Sequence, residues 1–135
     1  MRLKFQARDC TICNLCTIAC SFKNTGIINL KHSAIKINPQ MPDSLTVKIN
    51  YCSQCVQAYC VEACPVKALN RVEDGRVILN SELCDTCQGE YKCVSACKFS
   101  GINNPGDGLP PVKCDVCNGD PQCVKVCPLQ LISIV

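Results

Sequence analysis

All sixteen cysteines of this 135-residue chain lie in four short runs, four to a run. The runs are CTICNLCTIAC from Cys10 to Cys20, CSQCVQAYCVEAC from Cys52 to Cys64, CDTCQGEYKCVSAC from Cys84 to Cys97, and CDVCNGDPQCVKVC from Cys114 to Cys127. The ligand-type positions are therefore Cys10, Cys13, Cys16 and Cys20; Cys52, Cys55, Cys60 and Cys64; Cys84, Cys87, Cys93 and Cys97; and Cys114, Cys117, Cys123 and Cys127. Every run opens C-x2-C and closes C-x3-C, and proline follows the last cysteine of the second and fourth (Pro65 and Pro128). No thiol is left over. A fold for this chain has to deal with its thiols in fours.

The rest of the composition explains why it needs them. Taking the 16 cysteines out of the 47% apolar fraction leaves about 35% of the 135 residues as ordinary apolar side chains, with no Trp, three Phe and three Tyr. Ordering a backbone costs about 1–2 kcal/mol per residue. A core this thin is a poor match for that cost, so disulfides or metal centres must staple the chain. The start MRLKFQARDC lacks an apolar signal stretch, and no apolar run is long enough to span a membrane. An unsecreted chain with this many thiols is expected to bind metal.

The spacing says which metal. Cubane [4Fe–4S] clusters need four soft thiolates, and a single short loop cannot close around a whole cube. The bacterial ferredoxin run C-x2-C-x2-C-x3-C-P solves this by sending its fourth cysteine to the neighbouring cluster. Here Cys60 and Cys64 sit one helical turn apart, and Pro65 is expected to end that turn. Sixteen cysteines predict four [4Fe–4S] clusters. Four structural zinc ions or a disulfide scaffold are the competing readings, as is a set of three cubanes with one altered centre, since the first and third runs depart from the proline-ended form.

Charge has to be counted with the metal included. The formal +3 treats cysteine as neutral. Four oxidised cores bring +8 and sixteen thiolates −16, which takes the loaded chain to roughly −5 and removes the case for a nucleic-acid partner.

Along the chain, residues 15–22 read as a short helix, with Ile12, Leu15 and Ile18 as the apolar shell of the nearest cluster. Residues 26–30 read as irregular. Residues 32–38 and 44–50 alternate, placing Ile35, Ile37, Val47 and Ile49 inward, and Pro39 with the stretch PDS interrupts them. The 31 residues between Cys20 and Cys52 are the longest segment without a cysteine, and so a candidate partner surface. Asp74-Gly75 predicts a two-residue hairpin turn between 69–72 and 77–79. Residues 98–113 read as a loop without regular structure, and LQLISIV as either a terminal strand or a partner contact. His32 reads as a surface residue at the hairpin start, and Met41 as a loop residue that ligates nothing. Lys98 and Lys113, each beside a cysteine, either raise a neighbouring cluster's potential or are plain solvated lysines. No Ser–His–acid set, nucleotide-binding Gly motif or carboxylate pair suggests bond-making chemistry.

With CTICNLCTIACSFKNTGIINLKHSAIKI, CSQCVQAYCVEACPVKAL and KCDVCNGDPQCVKVCP in view, nearly the whole chain resembles the four-cluster ferredoxin-type subunits of molybdenum and tungsten pterin oxidoreductases. Partners of formate dehydrogenases, of hydrogenases linked to carbon monoxide dehydrogenase and of dimethyl sulfoxide reductases are of the same type. The small size and PPVKCDVCNGDP look most like the small subunit of tungsten-dependent aldehyde oxidoreductase or of benzoyl-CoA reductase complexes. The resemblance implies a nested ligand set. Cys10, Cys13, Cys16 and Cys127 would share one cluster, and Cys114, Cys117, Cys123 and Cys20 another. Cys52, Cys55, Cys60 and Cys97 would hold a third, and Cys84, Cys87, Cys93 and Cys64 a fourth. Two departures stand out: x5 between Cys87 and Cys93, where many members have x2, and the lack of the anchoring tail some relatives carry.

The expected fold is α+β: tandem bacterial ferredoxin-like lobes with short helices and β-hairpins around four cubanes. An outer lobe would comprise 1–30 and 98–135, an inner lobe 51–97, and a hairpin insert 31–50. The expected function is electron transfer between a separate tungsten- or molybdenum-pterin catalytic subunit and a flavin- or NAD-binding subunit, a ferredoxin or another iron–sulfur subunit. The chain itself would turn over no substrate, and would work in the cytoplasm in anaerobic metabolism. A relay ferredoxin of a hydrogenase or carbon monoxide dehydrogenase system, a freely diffusing polyferredoxin and, in another class, a zinc-structured adaptor are the alternatives.

Overall fold

The computed structural model describes residues 1–40 and 46–135. Within them, four two-stranded antiparallel sheets and four helices carry the architecture, which is α+β. The first sheet ties the two ends of the chain. β1 (Leu3–Phe5) pairs with β8 (Ile132–Ile134), Leu3 opposite Ile134 and Phe5 opposite Ile132. The apolar tail is thus a strand. Its partner strand was not visible in the sequence, because three residues give no readable alternation.

β2 (Lys36–Pro39) and β3 (Val47–Asn50) form the expected hairpin, with Ile37 facing Ile49. Pro39 does not interrupt β2, contrary to expectation. It is the strand's last residue and pairs with Val47, a position where proline's missing N–H is tolerated. The stretch PDS and Met41 lie outside the described residues.

β4 (Leu69–Arg71) and β5 (Val77–Leu79) flank Asp74-Gly75 as predicted, but the turn is longer than two residues. Val72 N–H bonds to Arg76 O at 2.8 Å, leaving residues 73–75 as the connection. Gly75 takes the left-handed position at φ 89°, which suits a three-residue hairpin loop. Residues 98–113 also correct the sequence reading. They contain β6 (Ile102–Asn103) paired with β7 (Val112–Lys113), two residues each and too short to register as a pattern.

The helices end where the cysteines require. α2 (Tyr59–Ala63), α3 (Lys92–Ala96) and α4 (Gln122–Val126) each stop one residue before a run's fourth cysteine. Cys64, Cys97 and Cys127 all have extended backbone, with φ/ψ of −80/112°, −74/112° and −70/114°. Lys98 follows Cys97 with the same geometry as the prolines elsewhere, so proline reinforces this ending without being required for it. The first run differs. With Ser21 after Cys20, α1 (Leu15–Thr25) runs on past residue 22, and Gly26 closes it at φ 75° with its N–H on Phe22 O. Ser21 is fully buried; its single O–H is shared between Ile18 O at 3.2 Å and Ile27 O at 3.1 Å, and its oxygen accepts from Asn29 N–H.

α1 packs on α4, and α2 on α3. Two small cores result. The first gathers Leu3, Ile35, Val116 and Ile132 with Cys16 and Cys123, flanked by Phe5, Ile37, Ile49 and Tyr51. The second gathers Leu69, Val77 and Ile102 with Cys93. Cysteine is structural material in both. Leu15 is 43% exposed and belongs to neither, against expectation, because it opens α1 on the outer side. Among the described residues no helix is long and apolar enough to cross a membrane.

Candidate metal centres

Each cysteine run wraps a hollow by the same backbone device. The residue two positions after the first cysteine adopts a left-handed conformation in all four runs: Ile12 at φ 60°, Gln54 at 48°, Thr86 at 57° and Val116 at 57°. None is glycine, and three are β-branched, for which this region is a genuine outlier. Such strain costs about 1–3 kcal/mol per residue and persists where the surroundings impose it. The turn it creates aims backbone N–H groups at sulfur. Gln54, Thr86 and Val116 donate to Cys52, Cys84 and Cys114 Sγ at 3.4, 3.4 and 3.3 Å.

The fourth cysteines repeat a second device. Ala68, Gly101 and Leu131 donate to Cys64, Cys97 and Cys127 Sγ at 3.3, 3.2 and 3.4 Å. The residue before each donor (Lys67, Ser100, Gln130) is again left-handed. In the first run the helix continues, so Cys20 Sγ receives the Ala34 N–H at 3.3 Å and the Asn24 amide at 3.6 Å instead. The sequence held no signal for these donors, since backbone N–H groups carry no residue identity.

The sixteen thiols are all unpaired, and twelve of them gather in three groups of four. Cys52, Cys55, Cys60 and Cys97 line one hollow of about 400 Å³. Cys10, Cys13, Cys16 and Cys127 line another of about 420 Å³. Cys64, Cys84, Cys87 and Cys93 line a third of about 310 Å³. Of the remaining four, Cys20 on α1 lies within electrostatic reach of Cys114, Cys117 and Cys123, where α1 packs on α4. Successive groups also lie within electrostatic reach of one another. Cys123 is a neighbour of Cys16, Cys114 of Cys52, and Cys93 of Cys60.

Burial decides the protonation of the free thiols. It pushes Cys16 and Cys93 up to about 11, and Cys114 and Cys123 up to about 12, with neighbouring cysteines adding to the rise. Cys55, Cys60 and Cys117 are raised for the same reason. Such thiols become ligands only when a cationic core displaces their protons. Four soft sulfur donors around each site, N–H groups directed at sulfur and apolar walls fit an iron–sulfur cube. A zinc site instead draws its ligands to about 2.0–2.3 Å from one point.

Two residues stand out beside the thiols. Lys98 Nζ lies over the Tyr59 ring, 4.3 Å from its centre. His32 is half-buried rather than a plain surface residue, and its Nδ1 is buried without a hydrogen-bond partner.

Comparison with known proteins agrees with this geometry. The profile of the 4Fe–4S dicluster domain matches residues 44–135. The chain belongs to the 4Fe–4S dicluster family. The first cysteine run lies outside the matched dicluster region. A polyferredoxin-like subunit of an aliphatic sulfonate oxidoreductase from Pyrococcus furiosus is 39% identical over 89 residues, covering 65% of this chain and 49% of the relative. The arsenate respiratory reductase iron-sulfur subunit ArrB of Shewanella sp. is 30% identical over 102 residues, covering 71% and 41%. This dicluster chain thus spans about half the length of the curated relatives it matches. In fold it is similar to a chain of the active-site complex BamBC of benzoyl coenzyme A reductase, with a TM-score of 0.56 at 21% identity, covering 98% of this chain and 77% of that one.

Proposed function

We propose that this chain relays single electrons through four [4Fe–4S] clusters between a separate molybdo- or tungstopterin catalytic subunit and a redox partner. The observation that carries the proposal is the gathering of twelve cysteines into three groups of four, each taking one thiol from a different run, with Cys20 within reach of Cys114, Cys117 and Cys123 in the same manner. We assign Cys10, Cys13, Cys16 and Cys127 to one cluster, and Cys20, Cys114, Cys117 and Cys123 to the next. Cys52, Cys55, Cys60 and Cys97 hold the third, and Cys64, Cys84, Cys87 and Cys93 the fourth.

When bound, each cluster supplies a one-electron couple at low potential. The protein's own part is to hold sulfur, exclude water and fix the order of the sites. The neighbour relations Cys16–Cys123, Cys114–Cys52 and Cys60–Cys93 support a line of four in that order. N–H groups on the sulfurs bias each couple, since hydrogen bonds to cluster sulfur favour the reduced, more negative state. The two lobes of this reading are an outer one of 1–30 and 98–135 and an inner one of 51–97, with 31–50 inserted between them.

A catalytic subunit of the tungsten-dependent aldehyde oxidoreductase type is our finer assignment, with a flavin- or NAD-binding subunit or a ferredoxin at the other end. A reducing, anaerobic cytoplasm suits sixteen thiols. The deciding experiment is anaerobic purification from the native source. Brown protein with about sixteen iron atoms per chain, co-purifying with a pterin enzyme, is the expected result. Colourless protein with zinc in place of iron would sink the proposal.

A further inference from the structure

Lys113 is buried, 9% exposed, at the seam between the two cores. Its Nζ donates to Val77 O at 2.6 Å in the second core, to Cys114 O at 3.1 Å beside the first, and to Cys52 Sγ at 3.3 Å. An ammonium has three N–H groups and no acceptor, and three acceptors face this one. All three N–H groups of the lysine head are thus engaged inside the protein.

A buried charge needs a counter-charge. Carboxylates do not supply it: among the described residues the ion pairs are Arg76–Asp74, Lys92–Glu90 and Lys125–Asp120. The negative groups that Lys113 faces are sulfurs, with Cys52 in direct contact and Cys55 and Cys60 within its electrostatic reach. Four thiolates outweigh the positive charge of an oxidised cubane core, so the loaded site is anionic.

We propose that Lys113 is the counter-charge of the centre held by Cys52, Cys55, Cys60 and Cys97, and that it raises the potential of that centre above the value it would have alone. The inference rests on the four-cluster reading. Reduction of a cluster adds one electron and makes or breaks no bond; a cation at the ligand sulfur stabilises the product more than the reactant. The effect is strongest on one side of the seam. Lys113 touches a sulfur of the Cys52 quartet, whereas in the next quartet it bonds only the Cys114 carbonyl and reaches the Cys114 sulfur through space.

The test is a redox titration followed by electron paramagnetic resonance on the anaerobically purified chain, comparing wild type with Lys113→Gln and Lys113→Arg. In Lys113→Gln one couple moves clearly to lower potential, its neighbour across the seam moves less and the other two stay; in Lys113→Arg the first couple stays near its wild-type value. Four unchanged couples in fully loaded Lys113→Gln would overturn the proposal, as would equal shifts in both variants, which mark a merely structural role. If Lys113→Gln loses the centre, Lys113→Arg decides: a retained centre near its wild-type potential supports the counter-charge, and loss there too overturns it. Wild-type protein that takes zinc and no iron would overturn the four-cluster reading itself, and is seen before any variant is made.

Discussion

Gln54 reaches across sixty positions of sequence to Cys114, its Nε2 donating to the cysteine carbonyl at 2.8 Å. The other end of the same amide accepts the Val77 N–H at 2.8 Å. One buried side chain thus joins a residue of the second core to a cysteine packed on the first, beside the Lys113 ammonium that bonds Val77 O and Cys114 O. Arg76 adds a more exposed tie, donating to Asp115 O at 2.7 Å. The seam between cores is polar and specific, where an apolar seam would let the cores slide.

Gln54→Leu removes both amide bonds. Lys113 continues to satisfy the Cys114 carbonyl, so the cost falls on the Val77 N–H, which is left buried and unpaired. The expected destabilisation is about 1–3 kcal/mol. It is read as faster loss of cluster absorbance on heating under anaerobic conditions. A loss rate equal to wild type would mean the seam is held by other contacts.

Cys127→Ala tests the nesting. The variant is expected to lose the cluster built on Cys10, Cys13 and Cys16, and to keep the one built on Cys114, Cys117 and Cys123. The resonance signal that disappears should match the one lost in Cys13→Ala. A match to Cys117→Ala would break the pairing.

Gly101 is fixed by a close approach of backbones. A Cβ there would lie 2.6 Å from Tyr51 O and 2.7 Å from Cys52 Cα, both main-chain atoms. The clash cannot be relieved by rotating a side chain, so Gly101→Ala must push the Cys97 and Cys52 segments apart. Overpacking of this kind costs about 1–3 kcal/mol. The variant should also load less iron, since Gly101 N–H bonds Cys97 Sγ. Full iron content with wild-type thermal stability would show that the two segments have slack.

The sequence carried the cysteine pattern and two hairpins, because thiol spacing and alternating Ile and Val are side-chain properties. Ile35 and Val47 are buried as their alternation required. What it could not carry was written in the backbone. Nothing in the letters of Ile12, Thr86 or Val116 announces a left-handed turn, and β-branched residues argue against one. β1, β6 and β7 are too short to show a period. Gln54 was missed for another reason: an amide inside a cysteine run reads as filler until its two partners, far apart in sequence, are brought to it.

Ile27, Ile28 and Leu30 are 54%, 67% and 50% exposed on the segment after α1. Three exposed aliphatic residues within four positions suit the partner surface expected of the insert. Ile28→Asp should leave iron content unchanged and weaken co-purification with the catalytic subunit. Binding of that subunit should slow proteolysis within residues 26–50. Unchanged cleavage and an intact complex would move the partner surface elsewhere.

Removal of iron should unfold the chain, and acid should promote removal. Each core holds only a few aliphatic side chains, and cysteines complete both. Two-stranded sheets of two to four residues per strand do not persist alone in water. Stripping iron with a chelator should therefore collapse the far-ultraviolet dichroism in step with the cluster absorbance. The pH dependence has a definite sign. Once iron leaves, an exposed thiol in the unfolded chain titrates at about 8.5 and any that stay buried, as Cys114 and Cys123 are in the fold, titrate higher, so the released thiols carry protons through the neutral range. The loaded form carries thiolates and binds fewer protons, so rising pH favours loading and falling pH favours release. At fixed chelator concentration, iron loss should grow steadily as pH falls through neutrality. A pH-independent loss would mean that the thiols do not regain protons when the iron leaves.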